Sequence, residues 1–148
     1  MPSTFLSLHY HLIFSTKNRG PDIDAIWKKR LHEYLGGGIK TLGGHPQRIN
    51  GTKDHVHLLV SLRATHCLSD VLRDIKTASS KWVNREFDAP DFAWQDGYAA
   101  FTVSASSLDA VRQYIENQEQ HHKKMSFRDE LITYLERSGV EYDPRYLD

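Results

Sequence analysis

The chain has 148 residues, of which 39% are hydrophobic and 26% charged, which is typical of one soluble globular domain. Its apolar runs are too short to cross a bilayer, and the N-terminal segment MPSTFLSLHYHLIF lacks the basic start and cleavage site of a signal peptide. The single cysteine, Cys67, excludes an internal disulfide, so we expect a cytoplasmic protein.

The charged side chains are unevenly distributed, although the formal net charge is zero. Residues 1–85 carry 13 Lys/Arg and 6 Asp/Glu, a net charge of +7, whereas residues 86–148 carry 6 and 13, a net charge of −7. This asymmetry indicates a first half that faces a polyanion and an acidic second half. An uneven spread of solvated surface charge is the plainer alternative.

The first half of the chain contains one predicted helix and three predicted strands. SLHYHLIFST alternates apolar residues with histidines and predicts a strand, and DAIWKKRLHEYLGGG predicts a helix that ends at its three glycines. KTLGGHPQRIN predicts a second strand broken at Gly43–Gly44. HVHLLVSL predicts a third strand, joined to the second by a hairpin at GTKD.

The second half is predicted to be mainly helical. The apolar stripe that begins at Leu68 and ends at Val83 predicts a helix, and FAWQDGYAAFTVSAS predicts a turn followed by a strand. SSLDAVRQYIENQEQHHKKM predicts a helix with a capping box from Ser106 to Asp109, and SFRDELITYLERSG predicts a last helix with a similar box. The order favours an α+β fold of the split βαβ, ferredoxin-like class in a single domain. We expect a four-stranded antiparallel sheet with helices on one face and a site on the open face. The core would span residues 5–125 and a helical extension residues 126–148.

Two histidines one residue apart, His55 and His57, are the first candidate site residues. Side chains at positions i and i+2 of a strand share a face, and the intervening aliphatic residues suit the core, so both imidazoles should project from the open face. Two adjacent imidazoles can bind a divalent metal. Alternatively, they are surface histidines bonded to water or to neighbouring side chains.

A second candidate group lies in the segment VRQYIENQEQHH. On a helix, Tyr114, Gln118 and His121 share one stripe at the boundary between the packed face and the solvent. A tyrosine in that position is most often a packing residue. Its pairing with an amide one turn later, in a chain that also contains the His-x-His motif, favours a functional role.

These motifs resemble those of the single-tyrosine HUH transposases of bacterial insertion sequences, the TnpA-like enzymes. DHVHLLV and YIENQ carry the resemblance together with YHLIFSTKNR, LSDVLRDIKTASSKWV and WQDGYAAFTVS, in the same order along nearly the whole chain. The resemblance implies the same split βαβ sheet. It also implies a transposase that cleaves and rejoins single-stranded DNA through a 5′-phosphotyrosine intermediate.

The resemblance implies a role for each candidate residue. His55 and His57 match the metal-binding pair, Tyr114 matches the nucleophile, and Gln118 matches the amide ligand, for which His121 is a competitor. The metal would be Mg²⁺ or Mn²⁺. The partners would be single-stranded DNA and DNA hairpins at the ends of the element, together with a second copy of the chain in a homodimer. The tyrosine helix of one subunit can then complete the site of the other.

Basic side chains outside this group are candidates for contacts to the DNA backbone, which dominate such affinity. They are Lys17, Arg19, Lys53, Arg73, Lys76 and Lys81. His9 and His11, on the first strand, are expected to be structural or to contact phosphate. Two alternative functions remain open. One is a metal-dependent phosphoester hydrolase that uses the His-x-His motif and water, and the other is a hairpin-binding protein that has lost catalysis.

Overall fold

The computed structural model describes residues 3–17 and 23–147. Along this part of the chain the elements follow in the order β1 (His9–Ser15), α1 (Lys28–Thr41), β2 (His45–Gly51), β3 (His55–Ser61), α2 (Leu68–Glu86), β4 (Ala99–Val103), α3 (Leu108–Glu116), α4 (Gln118–His121) and α5 (Phe127–Arg137). The strands form one antiparallel sheet in the order β2-β3-β1-β4, which confirms the predicted α+β fold. Among the described helices, none has the length and apolar character needed to cross a membrane.

The main core lies between the sheet and helices α1 and α2. The alternating residues of β1 and β3 that were predicted to face the core do so, as Leu12 and Leu58 illustrate with no exposed surface. Leu35 of α1 and Leu72 of α2 pack against them. Burial of such a side chain contributes about 1.5–3 kcal/mol each, so this layer holds β1 and β3 rigidly in register.

The opposite face of the sheet is covered, and the prediction that it is open is therefore wrong. Ile115 of α3 packs with Leu59 of β3 and Val103 of β4 in a second apolar cluster. Phe127 of α5 stacks on the ring of His55 with 4.2 Å between the centroids. Helices α3 and α5 are amphipathic and need an apolar surface to bury their own side chains, and this face of the sheet provides it.

The first helix extends beyond its predicted end. Helix α1 continues through Gly36–Gly38 to Thr41, so residues 40 and 41 belong to the helix and the second strand begins at His45. The packing does not require glycine at this point, because a Cβ atom added at Gly38 would lie 3.5 Å from Ile75 of α2, an ordinary van der Waals contact. The chain turns at Gly43, whose φ of +91° favours glycine.

The predicted tyrosine helix is interrupted at Asn117, where α3 ends and the short helix α4 begins. The side chain of Asn50 on β2 donates hydrogen bonds of 3.0 Å to the carbonyl groups of Ile115 and Glu116, which lie at this interruption. This contact fastens α3 to the sheet. The predicted capping box at Ser106 is absent, since α3 has no side-chain cap.

The start of α5 is as predicted. The hydroxyl of Ser126 accepts a hydrogen bond of 3.1 Å from the backbone of Asp129. The chain leaves α5 through Gly139, which has a φ of +67°. The buried residues of α5 are Phe127, Glu130 and Leu135.

A buried histidine and tyrosine cluster as the candidate active site

The two histidines of the His-x-His motif project side by side from β3. Their ring centroids are 5.1 Å apart, and both side chains are completely buried between the sheet and the helices that cover it. The prediction that His55 and His57 share a face is confirmed. The prediction that they face solvent is wrong, because α3, α4 and α5 lie over them.

The neighbouring residue Asp54 fixes the orientation of the His55 ring. Its Oδ1 lies 2.8 Å from His55 Nδ1, so that nitrogen carries a proton and donates to the carboxylate. In a neutral imidazole the other nitrogen, Nε2, then presents its lone pair. This nitrogen faces the side-chain oxygen of Gln118 at 3.1 Å. The lone pairs of His55 Nε2 and of the Gln118 oxygen therefore point at each other, as those of two ligands of one cation do.

His57 is held between two polar side chains. Its Nδ1 lies 2.7 Å from Nε2 of His11 on β1, and its Nε2 lies 2.9 Å from the carboxylate of Glu130 on α5. Burial lowers the pKa of His57 to about 4 despite the hydrogen bond to Glu130. Burial, assisted by the nearby His57, lowers the pKa of His11 to about 3. Both imidazoles are consequently neutral at pH 7.

The hydroxyl of Tyr114 reaches the same cluster from α3. It donates a hydrogen bond to the carboxylate of Glu130 and lies 3.5 Å from Nε2 of His121. Burial, followed by the contact with Glu130, raises the pKa of Tyr114 well above its usual value near 10. The phenol is therefore neutral in this arrangement.

Glu130 is one of two cluster residues, with His122, that the sequence did not lead us to select. Besides Tyr114 and His57, its carboxylate accepts hydrogen bonds of 3.1 Å from Gln118 and from His122. Burial alone would raise the pKa of Glu130, but the hydrogen bonds from His122 and His57 outweigh it and hold that pKa well below its usual range. The available signal was its position, because Glu130 shares the buried face of α5 with Phe127.

The cluster has the composition of a metal site. His55, His57, His122 and Glu130 each offer one ligand atom, and these four atoms all lie within 4.8 Å of one another. Imidazole nitrogens with one carboxylate are a common ligand set for divalent transition metals. These residues could therefore hold a metal ion.

The predicted stripe of the tyrosine helix is preserved across the interruption at Asn117. Tyr114, Gln118 and His121 all reach the cluster, and Gln118 is completely buried. His121 lies at the margin, where its Nε2 is 3.4 Å from the carboxylate of Glu130. His122, which the sequence analysis did not select, offers a ligand atom to the group.

The basic candidates differ in their surroundings. Lys53 is exposed and lines a cleft of about 470 Å³ together with Lys28, Lys123 and His122, next to the buried cluster. Lys76 is engaged within the fold, since its ammonium donates to the carbonyl groups of Gln95 and Gly97 at 2.7 and 2.6 Å.

The other basic candidates are mostly exposed. Arg73 pairs with Asp70 and Asp74, whereas Lys17 and Lys81 lie at the surface. Arg19 falls outside the described residues.

Comparison with known proteins places this geometry in context. A family model described as "Transposase IS200 like" matches residues 4–118. A protein from Deinococcus radiodurans described as a transposase is 26% identical, with a TM-score of 0.64 over 80% of this chain and 96% of that chain. A REP-associated tyrosine transposase bound to a REP hairpin is 12% identical and shares the fold, with a TM-score of 0.60 over 82% of this chain and 74% of that chain. Among curated proteins, none matches this sequence significantly.

Proposed function

The chain belongs to the IS200-like transposase family, and from that premise we propose that it cleaves and rejoins single-stranded DNA through a covalent bond to Tyr114. One observation carries the proposal. Tyr114 supplies the one tyrosine hydroxyl that is hydrogen-bonded to the cluster around His55 and His57 among the described residues. It lies on α3, the helix that the sequence predicts to carry the nucleophile.

The proposed reaction exchanges one phosphoester bond for another. The phenol of Tyr114 loses its proton and its oxygen attacks the scissile phosphorus. The bond from phosphorus to the 3′ oxygen breaks, and the released oxygen takes up one proton to become a 3′-OH, so one proton is lost and one gained. The 5′ phosphate remains on the tyrosine, so the bond energy is conserved without ATP. Attack by another 3′-OH reverses the step and joins two strands.

We propose that a divalent metal is held by His55 and His57 with Gln118 as the ligand from the tyrosine helix. Glu130 and His122 provide further donor atoms within reach. The ion, Mg²⁺ or Mn²⁺, would neutralise charge on the scissile phosphate and lower the pKa of the phenol. Because the donor set is rich in imidazole, we expect Mn²⁺ to bind more tightly than Mg²⁺.

Entry of DNA requires a rearrangement of α5. The carboxylate of Glu130 is an anion that now accepts hydrogen bonds from Tyr114, His57 and His122. A scissile phosphate needs the same hydrogen-bond donors, and two buried anions there would repel each other. We therefore propose that α5 withdraws Glu130 when the strand binds, and that the strand approaches along the cleft lined by Lys53 and Lys123.

We also propose that the protein acts as a homodimer on DNA hairpins with single-stranded flanks. A reaction at two ends needs two nucleophiles, and each chain offers one Tyr114. Within one chain, Tyr114 already lies beside the histidines of that same chain, with 5.9 Å between its ring centroid and that of His57. An arrangement within one subunit therefore needs no exchange of the tyrosine helix.

The decisive experiment uses a single-stranded oligonucleotide with a hairpin, labelled at either end and incubated with the protein and Mn²⁺. A 5′-phosphotyrosine retains the 3′-end label on the protein in a denaturing gel and releases the 5′-end label in a fragment with a free 3′-OH. A hydrolase that uses water would release both labels. Cleavage without an adduct would overturn the proposal.

A further inference from the structure

His11 on β1 is buried beside the proposed metal ligands but is not one of the four residues whose ligand atoms lie together. Its side chain is 1% exposed, and its Nε2 lies 2.7 Å from Nδ1 of His57. Its other nitrogen, Nδ1, is buried without a hydrogen-bond partner among the described residues. Unpartnered buried polar atoms are rare in native proteins, so the surroundings of this nitrogen call for an explanation.

The distance between the two rings requires that they share one proton. Nε2 of His57 points to the ligand cluster and contacts Glu130 at 2.9 Å. A metal ion can use that nitrogen only if it carries no proton, and the proton of a neutral imidazole must then be on Nδ1. In the described part of the chain, His11 is the residue whose side chain lies within hydrogen-bonding distance of His57 Nδ1.

We propose that His11 is a positioning residue for the metal site, which accepts a hydrogen bond from His57 and so keeps the Nε2 lone pair of His57 available to the ion. The inference rests on the proposed function, since it assumes that His57 binds a metal. It assigns to His11 the part that Asp54 plays for His55, where the carboxylate holds the proton on Nδ1.

The direction of this hydrogen bond depends on what His57 faces. Opposite the carboxylate of Glu130, His57 needs a proton on Nε2, so His11 donates and His57 accepts. Opposite a cation, His57 gives up the Nε2 proton and takes the shared proton from His11 at Nδ1, and the proton lost from His57 Nε2 is balanced by one taken up at His11 Nδ1. Each ring carries one proton before and after. A pair of imidazoles can make this exchange, whereas a carboxylate could only accept.

The chain offers a matched control two residues away. His9 lies on the same face of β1, but its Nδ1 is 2.7 Å from the hydroxyl of Ser61, and it makes none of the contacts of the cluster. A substitution at His9 therefore perturbs the same strand without touching His57.

The test measures Mn²⁺ binding by calorimetry in the absence of DNA. His11→Phe keeps a ring in the aromatic surroundings of Tyr134 and Phe101 but removes the acceptor, and it should weaken binding roughly 10- to 100-fold. His11→Gln, which retains an acceptor oxygen, should restore affinity to within a few-fold of the wild type. His9→Gln should leave affinity unchanged. Thermal unfolding of each variant identifies those that fail to fold.

A second measurement reads the proton directly. With Zn²⁺ as a diamagnetic probe, nitrogen NMR of the wild type should show the proton of His57 on Nδ1. The same tautomer and affinity in His11→Phe would refute the role of His11 while leaving the metal site intact. A wild type that binds neither Mn²⁺ nor Zn²⁺ would instead refute the metal proposal itself and, with it, this inference.

Discussion

The phenol of Tyr114 and the carboxylate of Glu130 are hydrogen-bonded to each other across the contact between α3 and α5. Burial, assisted by this contact, raises the pKa of the phenol and keeps its proton in place, and the contact puts a negative charge beside the oxygen that would attack DNA. Both effects oppose the reaction. For the reaction that we propose, Tyr114 must therefore first be released from this contact.

Replacement of the carboxylate should make that release easier. In Glu130→Gln the anion is gone, so the part of the rise in the Tyr114 pKa that Glu130 causes should disappear, although the larger part due to burial remains, and a DNA phosphate should meet no repulsion. We expect at least about tenfold more covalent adduct in a fixed time, equivalent to about 1.4 kcal/mol of barrier. Adduct yield on denaturing gels with labelled single-stranded DNA measures it.

Glu136→Gln is the control for that experiment, because Glu136 lies on the same helix, is exposed, and its carboxylate accepts a hydrogen bond of 2.9 Å from the exposed hydroxyl of Tyr142, away from the cluster. It should leave the yield unchanged. Less adduct in Glu130→Gln, accompanied by weaker Mn²⁺ binding, would show that Glu130 is needed as a metal ligand and does not restrain the tyrosine.

The second prediction concerns the histidine pair. His55→Ala and His57→Ala should each abolish adduct formation. Each should also abolish the rise in melting temperature that Mn²⁺ produces in the wild type, because an ion stabilises the folded protein only if the folded protein binds it. Since both side chains are completely buried, each variant should also lose roughly 2–4 kcal/mol of stability without metal. Differential scanning calorimetry with and without Mn²⁺ separates the two effects. A normal Mn²⁺-induced shift in either variant would contradict the assignment.

Much of this site was predictable from local periodicity. The alternation along β3 predicts that His55 and His57 share a face, and helical spacing brings Tyr114 and Gln118 to one stripe. That stripe persists although the helix is interrupted at Asn117. These two predictions are confirmed by the structure because each depends only on residues that are close together in the sequence.

The burial of the pair and the role of Glu130 depend on tertiary packing and were not predictable in the same way. Periodicity identifies the apolar face of α5, but it does not say which sheet face that helix covers. An acidic residue on the buried face of a helix is costly unless it is paired. The position of Glu130 on that face was the one available signal, and in the fold its carboxylate lies within 3.5 Å of four imidazole nitrogens.

The third prediction concerns the DNA. A hairpin with single-stranded flanks should bind much more tightly than the same sequence as a perfect duplex, because a duplex cannot deliver one backbone into the cleft. Affinity should fall steeply with salt, and Lys53→Ala should reduce the slope of log K against log salt by about 1. Lys40→Ala, exposed at the end of α1 on the other side of the sheet, should not. Equal binding of both DNA forms would contradict the prediction.

The fourth prediction concerns acid stability of the metal-free protein. An unfolded chain protonates its histidines near pH 6.5, whereas burial lowers the pKa of His32 and His57 to about 4 and that of His11 to about 3. The unfolded state therefore binds more protons, and stability present above pH 6.5 is lost as the pH falls towards 4.

Each pKa unit corresponds to about 1.4 kcal/mol, so the total loss should be several kcal/mol. Urea midpoints at pH 7.5 and 5.0, with chelator present, measure it. His32→Gln should make the decline shallower. A midpoint that does not change with pH would show that these histidines are not held neutral.

The last prediction concerns the nucleophile itself. Tyr114→Phe removes one oxygen and keeps the ring packing against His57, His11 and Tyr134, so stability should change by only about 1 kcal/mol and DNA binding should persist. The covalent adduct should vanish completely. Tyr98→Phe and Tyr146→Phe are the controls, since both side chains are exposed. Tyr134 is unsuitable because its ring contacts both His11 and Tyr114. If Tyr114→Phe still cleaved DNA and no variant formed an adduct, water would be the nucleophile. An adduct on another tyrosine would show that the reaction class is correct but that Tyr114 is the wrong residue.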